Sequence, residues 1–229
     1  MNVVYAVTRD YHEKIVPSVR SLVEYNKDVN LFVVTEGDDL TVDLPVDATV
    51  VNVSDQTWFG PDGINYRNRF TYINLIKVCY ASLLPVDKVL HLDADTIVCD
   101  DLTPFYETNL DGKWIAAVDE TKGTYHPFGD NYFNMGVAVI NLEQIRQDNI
   151  EPILVEYLNK VKTPWADQDA WNRYGIDQAK FVSLPVRYNE NFATGETDNP
   201  AIVHYCGVTD WWNNPRRRGE FLRRWRPLS

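Results

Sequence analysis

The chain has 229 residues, 45% of them apolar and 24% charged, the balance of an ordinary folded protein with enough length to bury a sizeable core. A formal net charge of −11 argues against a general nucleic-acid binder, because phosphate contacts demand cations. No apolar run approaches the roughly 18 residues a membrane span needs, and the opening MNVVYAVTRDYHEK enters a strand pattern without the basic and apolar regions of a signal peptide.

The segment NVVYAV reads as a strand, after which Ile15, Val19, Leu22 and Val23 recur at helical spacing. NLFVVTE and ATVVNV are β-branched runs between turn residues. From Phe70 to Leu84 the positions Phe70, Ile73, Ile76, Tyr80 and Leu83 mark an amphipathic helix that Pro85 stops. KVLHL, KWIAAV and GVAVINL read as further strands, Glu143 to Lys160 as one helix, and DQDAWNRYG as a short one. This alternation predicts an α/β fold, a Rossmann-like, mostly parallel sheet flanked by helices in a single domain with a less regular C-terminal third. Cys79, Cys99 and Cys206, odd in number and without paired spacing, read as reduced, small core residues of a cytoplasmic protein. Arg216, Arg217, Arg218, Arg223, Arg224 and Arg226 crowd the last stretch. The plainer reading is a solvated amphipathic helix, preferred to a weak contact with phosphates or an anionic surface.

HLDADTIV places Asp93 and Asp95 one residue apart just past a buried strand. Ligands of open α/β sheets bind beyond the carboxyl ends of the strands. Two carboxylates so close repel unless a cation sits between them, and oxygen ligands suit a hard divalent ion that also holds phosphates. The plain alternative is a pair of turn-capping aspartates. YFNMG brings Asn134 and Gly136 to the mouth of another strand, where glycine permits close backbone approach. AIVHYCG ends a strand on His204. An imidazole there is more often a satisfied core histidine, but beside two carboxylates it is a candidate third ligand that favours Mn²⁺ over Mg²⁺.

Five ordered features, TRDY after the first strand, INLIKVCYASLL before DKVLHLDADTIV, YFNMG, DQD and VHYCG, resemble the glycogenin and lipopolysaccharide galactosyltransferase group. These are the retaining GT-A glycosyltransferases of family eight, and the resemblance covers nearly the whole chain. It implies a nucleotide-binding half over 1–100 and a sugar and acceptor half over 101–229 with a basic tail. It further implies that Ala6, Thr8, Asp10 and Tyr11 hold uracil and ribose, Tyr11 by stacking on the base. Lys77 would contact the donor, Asp93, Asp95 and His204 would ligate Mn²⁺ or, as the alternative, Mg²⁺, and Ala94 would lie near the ribose. Asn134 and Gly136 would line the sugar site, with Gly207 beyond His204 on the donor side. Asp167 and Gln168 would reach the reacting face, as a nucleophile or, preferably, as stabilisers of the sugar cation. The expected partners are a UDP-sugar carrying glucose or galactose and a saccharide, lipid-linked glycan or protein acceptor, with no nucleic acid.

The family usually follows its His-x-x-Gly with Lys-Pro-Trp, whereas here Asp210 stands at the lysine position. A carboxylate there repels a diphosphate, so either the loop is arranged differently or, as expected here, Arg216, Arg217 or Arg218 substitutes. The chain is also short for the group, which points to a missing acceptor-binding or membrane-docking region. Two other readings stand beside the transferase. One is a Mg²⁺-dependent haloacid dehalogenase-like phosphatase, whose Asp-x-Asp-x-Thr resembles DADTI but normally follows the first strand. The other is a nucleotide-sugar-binding protein without turnover.

Overall fold

The computed structural model describes residues 1–67, 70–120 and 131–206. The β-branched runs form strands β1 (Asn2–Ala6), β2 (Asn30–Thr35), β3 (Ala48–Asn52), β4 (Lys88–Leu92), β5 (Thr96–Val98), β6 (Ile115–Asp119), β7 (Phe133–Asn141), β8 (Phe181–Ser183) and β9 (Ile202–His204). Helices α1 (His12–Tyr25), α2 (Tyr72–Ile76), α3 (Tyr80–Leu83), α4 (Thr103–Tyr106), α5 (Leu142–Asp148), α6 (Glu151–Lys160) and α7 (Asp167–Asp177) alternate with them. A seven-stranded sheet runs in the order β3-β2-β1-β4-β7-β6-β8, and β5 pairs with β9 in a separate two-stranded ribbon. All neighbours in the large sheet are parallel except at β7, which is antiparallel to both β4 and β6. The expected mostly parallel α/β sheet flanked by helices is therefore observed.

Strand alternation builds a core on each face. Val3 and Tyr5 point with Leu31, Val33, Leu90 and Leu92 towards Ile15, Val19 and Leu22 of α1. Val4 and Ala6 point the other way, with Phe32 and Val34, towards α2, α3, α6 and α7. Every fully buried Ile or Leu in these layers is worth roughly 1.5–3 kcal/mol relative to exposure. Among the described residues no helix is long and apolar enough to cross a membrane. Cys79 lies in the core, whereas Cys99 and Cys206 are half-buried rather than core residues.

Two predicted helices are broken. The stretch expected to run from Phe70 to Leu84 starts after Thr71, whose extended backbone (φ −70°, ψ 161°) precedes α2. It tightens into a 3-10 turn over Lys77–Cys79 before α3, the kind of mid-helix irregularity found at functional positions. The helix expected from Glu143 to Lys160 is instead α5 and α6. Asn149 adopts the left-handed conformation (φ 49°, ψ 41°) that ends α5, and Pro152 sits in the first turn of α6, where its missing N–H costs nothing. The short elements β5, β8 and α4 have three or four residues each and no periodicity to betray them.

Candidate active site

At β1 the strand order turns: β2 and β3 extend the sheet on one side, β4, β7 and β6 on the other. Such a switch point leaves a crevice beyond the carboxyl ends of the two central strands. Asp93, Ala94 and Asp95 emerge there directly after β4, all three half-buried. The Asp93 backbone N–H donates to Gly136 O on the neighbouring strand (2.7 Å). One carboxylate oxygen, Oδ1, accepts from Lys77 Nζ at 2.5 Å and lies 3.0 Å from His91 Nε2. Burial opposes ionisation of Asp93, yet Lys77 and His91 outweigh it and hold the carboxyl well below the usual carboxylate range. Burial and the Lys77 charge push His91 down to about 4, so it is neutral. It donates Nε2–H to Asp93 and accepts from the Tyr80 hydroxyl at Nδ1 (3.1 Å). Oδ1 is thus saturated, and Oδ2 turns towards the crevice.

Lys77 is only 5% exposed. Burial favours the neutral amine, but the attraction of Asp93, Asp167 and Asp95 exceeds it, and the ammonium titrates above its ordinary value. The tight turn at Lys77–Cys79 is where this cation enters the carboxylate cluster.

His204 reaches the same point through the β5–β9 ribbon. Thr96 pairs with His204 across it, and Tyr205 N donates to Asp95 O at 2.9 Å. Nε2 of His204 lies 3.2 Å from Asp95 Oδ1 and 3.8 Å from Asp93 Oδ2. This nitrogen is buried and has no hydrogen-bond partner among the described residues, while Nδ1 sits 3.0 Å from Asn189 Oδ1. One ligand atom from each of Asp93, Asp95 and His204 falls within a 4.8 Å cluster. A buried, unpartnered imidazole nitrogen aimed at two carboxylates fits a divalent cation. A mixed N,O set of this kind accommodates Mn²⁺ and, less selectively, Mg²⁺.

Gly136 closes the back of the cluster. A Cβ built there would meet His204 Cε1 at 2.3 Å and Asp93 Oδ2 at 2.6 Å, closer than real contacts come. The close approach that glycine permits is thus to the two candidate ligands themselves. Gly136→Ala is accordingly expected to displace His204 or Asp93. We expect Mn²⁺ affinity, read by electron paramagnetic resonance, to fall by about 10-fold or more, the loss typical of disturbed ligand support. Unchanged affinity would show that the trio holds no metal.

Asp167 is the first residue of α7 and is 5% exposed. Burial is the main cause that raises its carboxyl to about 7; Lys77 pulls the other way and Asp93 adds to the rise. Before it, Ala166 is held at φ 51° and ψ −126°, a backbone conformation that L residues avoid and that tends to occur at functional sites. Anchoring of this end of the helix falls to Asp169, which accepts from Trp165 N at 2.9 Å and from the Tyr132 hydroxyl at 2.6 Å. Gln168 accepts from Met135 N (2.9 Å) and donates to Glu120 Oε1 (3.2 Å). Its side chain therefore extends the backbone pairing of β7 near the bulge where the β6 register shifts between Ala117 and Val118.

The proposed nucleotide residues lie on the adjoining strand and turn. Ala6 ends β1, Thr8 precedes the 3-10 turn Arg9–Tyr11, and Asp10 is exposed. Tyr11 is 40% exposed, with Lys14 Nζ 3.8 Å from its ring centroid. Asn134 is buried and donates to Glu120 Oε1 at 2.6 Å. Gly207, Asp210 and Arg216 to Arg218 lie outside the described residues. Sequence reasoning missed His91, Glu120 and Asn189. His91 was legible, because residues two apart in a strand share a face and HLD puts it beside Asp93. Nothing local marks Glu120 or Asn189.

The chain matches the family model described as glycosyl transferase family 8 over residues 2–215. It is 28% identical over 160 residues to glycosyltransferase GlyA of Streptococcus pneumoniae, covering 65% of this chain and 23% of that protein. It is 23% identical over 239 residues to GlyB of the same organism, covering 92% of this chain and 57% of that one. The chain therefore spans between about a quarter and three fifths of these relatives' length. The solved galactosyltransferase LgtC, in complex with donor and acceptor sugar analogues, superposes with a TM-score of 0.75 at 21% identity over 100% of this chain and 98% of that one. With a match running from the first strand past the His204 ribbon, and a GT-A neighbour of the same sheet architecture, the chain belongs to glycosyl transferase family 8.

Proposed function

We propose that this glycosyltransferase moves a hexose, glucose or galactose, from a UDP-sugar to an acceptor hydroxyl with retention of configuration, assisted by Mn²⁺ or alternatively Mg²⁺. The observation that carries the reading is the meeting of Asp93, Asp95 and His204 at the switch-point crevice, with the buried Asp167 carboxyl within electrostatic reach of Asp93 and Lys77. The family assignment and the sugar-analogue complex of LgtC support it. In this reading residues 1–100 hold the nucleotide, and 101–229 supply the sugar and acceptor side. The acceptor is a saccharide, a lipid-linked glycan or a protein.

Cleavage of the sugar–phosphate bond leaves a cation-like sugar and a highly charged UDP. A divalent ion held by Asp93, Asp95 and His204 would supply positive charge to the departing diphosphate. Lys77 is preset for the same end. It is already charged and buried, so it can turn from Asp93 to a phosphate oxygen without paying desolvation anew. Tyr11, exposed beyond β1, offers an aromatic face to the base. Asp167, as a carboxylate, would stabilise positive charge on the reacting carbon from the face opposite the departing UDP, while Gln168, pinned by Met135 and Glu120, orients the sugar. An arginine among 216 to 218 would complete the diphosphate contacts in place of the usual lysine.

A panel of UDP-hexoses with Mn²⁺, scored for UDP release, tests the proposal. Release from a glucose or galactose donor is the expected result. Tight donor binding with no release or transfer from any donor would favour the binding-protein reading, and phosphate release from a generic phosphate ester would favour the phosphatase.

A further inference from the structure

Resting on the proposed metal site, we infer that Asn189 is a positioning residue that sets the His204 tautomer, so that Nε2 presents a bare lone pair to the cation. The inference follows from which atoms can donate. Backbone N–H groups only donate, so they reveal which end of a side-chain amide is oxygen. The Gly136 N–H donates to Asn134 Oδ1 at 3.1 Å. Asn134 Oδ1 also lies 2.9 Å from Asn189 Nδ2, which must therefore be the donor of that pair. Asn189 then has its oxygen turned the other way, 3.0 Å from His204 Nδ1.

A second backbone anchor reaches the same atom independently. The N–H groups of Ala193 and Thr194 donate to Asn191 Oδ1 at 2.8 and 3.0 Å. Asn191 must then offer its Nδ2, which donates to Asn189 Oδ1 at 2.9 Å. Both routes identify the atom facing His204 as an oxygen acceptor. An acceptor at 3.0 Å requires a proton on Nδ1; with a cation between Nε2 and Asp95 Oδ1, which lie 3.2 Å apart, the imidazole is neutral and carries its lone pair on Nε2. Asn189 is 0% exposed, and Asn134, Asn191 and His204 are 6%, 7% and 4% exposed, so water has little access to supply an alternative partner. The amide polarity of two asparagines, set by backbone of β7 and of the loop after Asn189, is thereby transmitted to a candidate metal ligand. Partners of this type commonly orient metal-bound histidines.

The test compares Asn189→Leu, which removes the acceptor at similar volume, with Asn189→Asp, which keeps it. Mn²⁺ alone is titrated into each variant by electron paramagnetic resonance. Affinity is expected to fall about 10- to 100-fold in N189L and to recover to within a few-fold of wild type in N189D. Equal affinity in N189L and wild type, or equal loss in both variants, would overturn the inference. Separately, nitrogen-15 resonances of His204 in the metal-free wild-type protein, recorded at alkaline pH with the ring neutral, are expected to show the proton on Nδ1. A proton on Nε2 would overturn the relay even if N189L fails to fold. Wild-type protein that binds no Mn²⁺ while showing the Nδ1–H form would sink the metal reading and leave the relay standing.

Discussion

Asp167→Asn is expected to lower turnover on the order of 10²- to 10³-fold, as loss of a preorganised charge at a reacting centre typically does, while UDP binds almost as before. The same substitution is expected to make the protein more stable. The wild-type carboxyl titrates at about 7 when folded against an ordinary value of 3.8, with burial the main cause. Below the lower value both folded and unfolded states hold the proton, and Asp167 costs nothing. Between the two values the unfolded chain has released a proton that the folded chain still holds, so stability falls as pH rises; above about 7 the cost is constant, on the order of 4 kcal/mol. The asparagine amide loses that slope but brings buried donors of its own, which cost about 1–3 kcal/mol if unpaired. The net gain near pH 8 is therefore about 1–3 kcal/mol, or several degrees in melting temperature for a chain of this size.

The melting difference between variant and wild type should grow from acid towards neutral pH and then level off. The depressed Asp93 titrates below this window, and any contribution from His204 is common to both proteins and cancels in the difference. A variant that melts lower than wild type at neutral pH would assign Asp167 a structural role. The geometry argues otherwise, because Asp169 makes the anchoring hydrogen bonds at this end of α7. Stability yielded at a reacting group is a familiar cost of function.

The second large effect concerns the metal. Asp95→Asn removes one of three candidate ligands and should weaken Mn²⁺-dependent UDP binding by at least about 100-fold, since even supporting partners of metal sites are worth 10- to 100-fold. Calorimetry of UDP with and without Mn²⁺ reads it directly. UDP affinity that is the same with and without Mn²⁺ in the wild type would refute the assignment of Asp93, Asp95 and His204.

Much of the architecture was written locally. β-branched runs such as NLFVVT have few ways to bury both faces other than as central strands of a parallel sheet, and the helical spacing of Ile15, Val19 and Leu22 leaves one apolar stripe to cover it. The position of Asp93 and Asp95 at the end of KVLHL was legible for the same reason, because a strand's carboxyl end and its successor residues are contiguous in sequence. The helix breaks at Asn149 and Pro152 were also present as residue types, although the apolar spacing ran through them.

What brought the site together was long-range. His204 meets Asp95 only because a three-residue strand, Thr96–Val98, pairs with another, Ile202–His204, and strands so short carry no period that sequence can reveal. The fate of Lys77 was equally hidden. As one residue of an amphipathic stretch it could face water, and only the tight 3-10 turn and the packing of α2 and α3 on the sheet drive it into the carboxylate cluster. The raised carboxyl of Asp167 comes from burial, a property of the assembled molecule rather than of DQD. Asn189 lies 15 positions before His204, and its orientation depends on backbone N–H groups from two separate elements. Composition and periodicity determine which segments become strands and helices, because those choices depend on neighbours in the chain. Protonation, ligand geometry and amide polarity depend on neighbours in space, and those the tertiary structure alone decided.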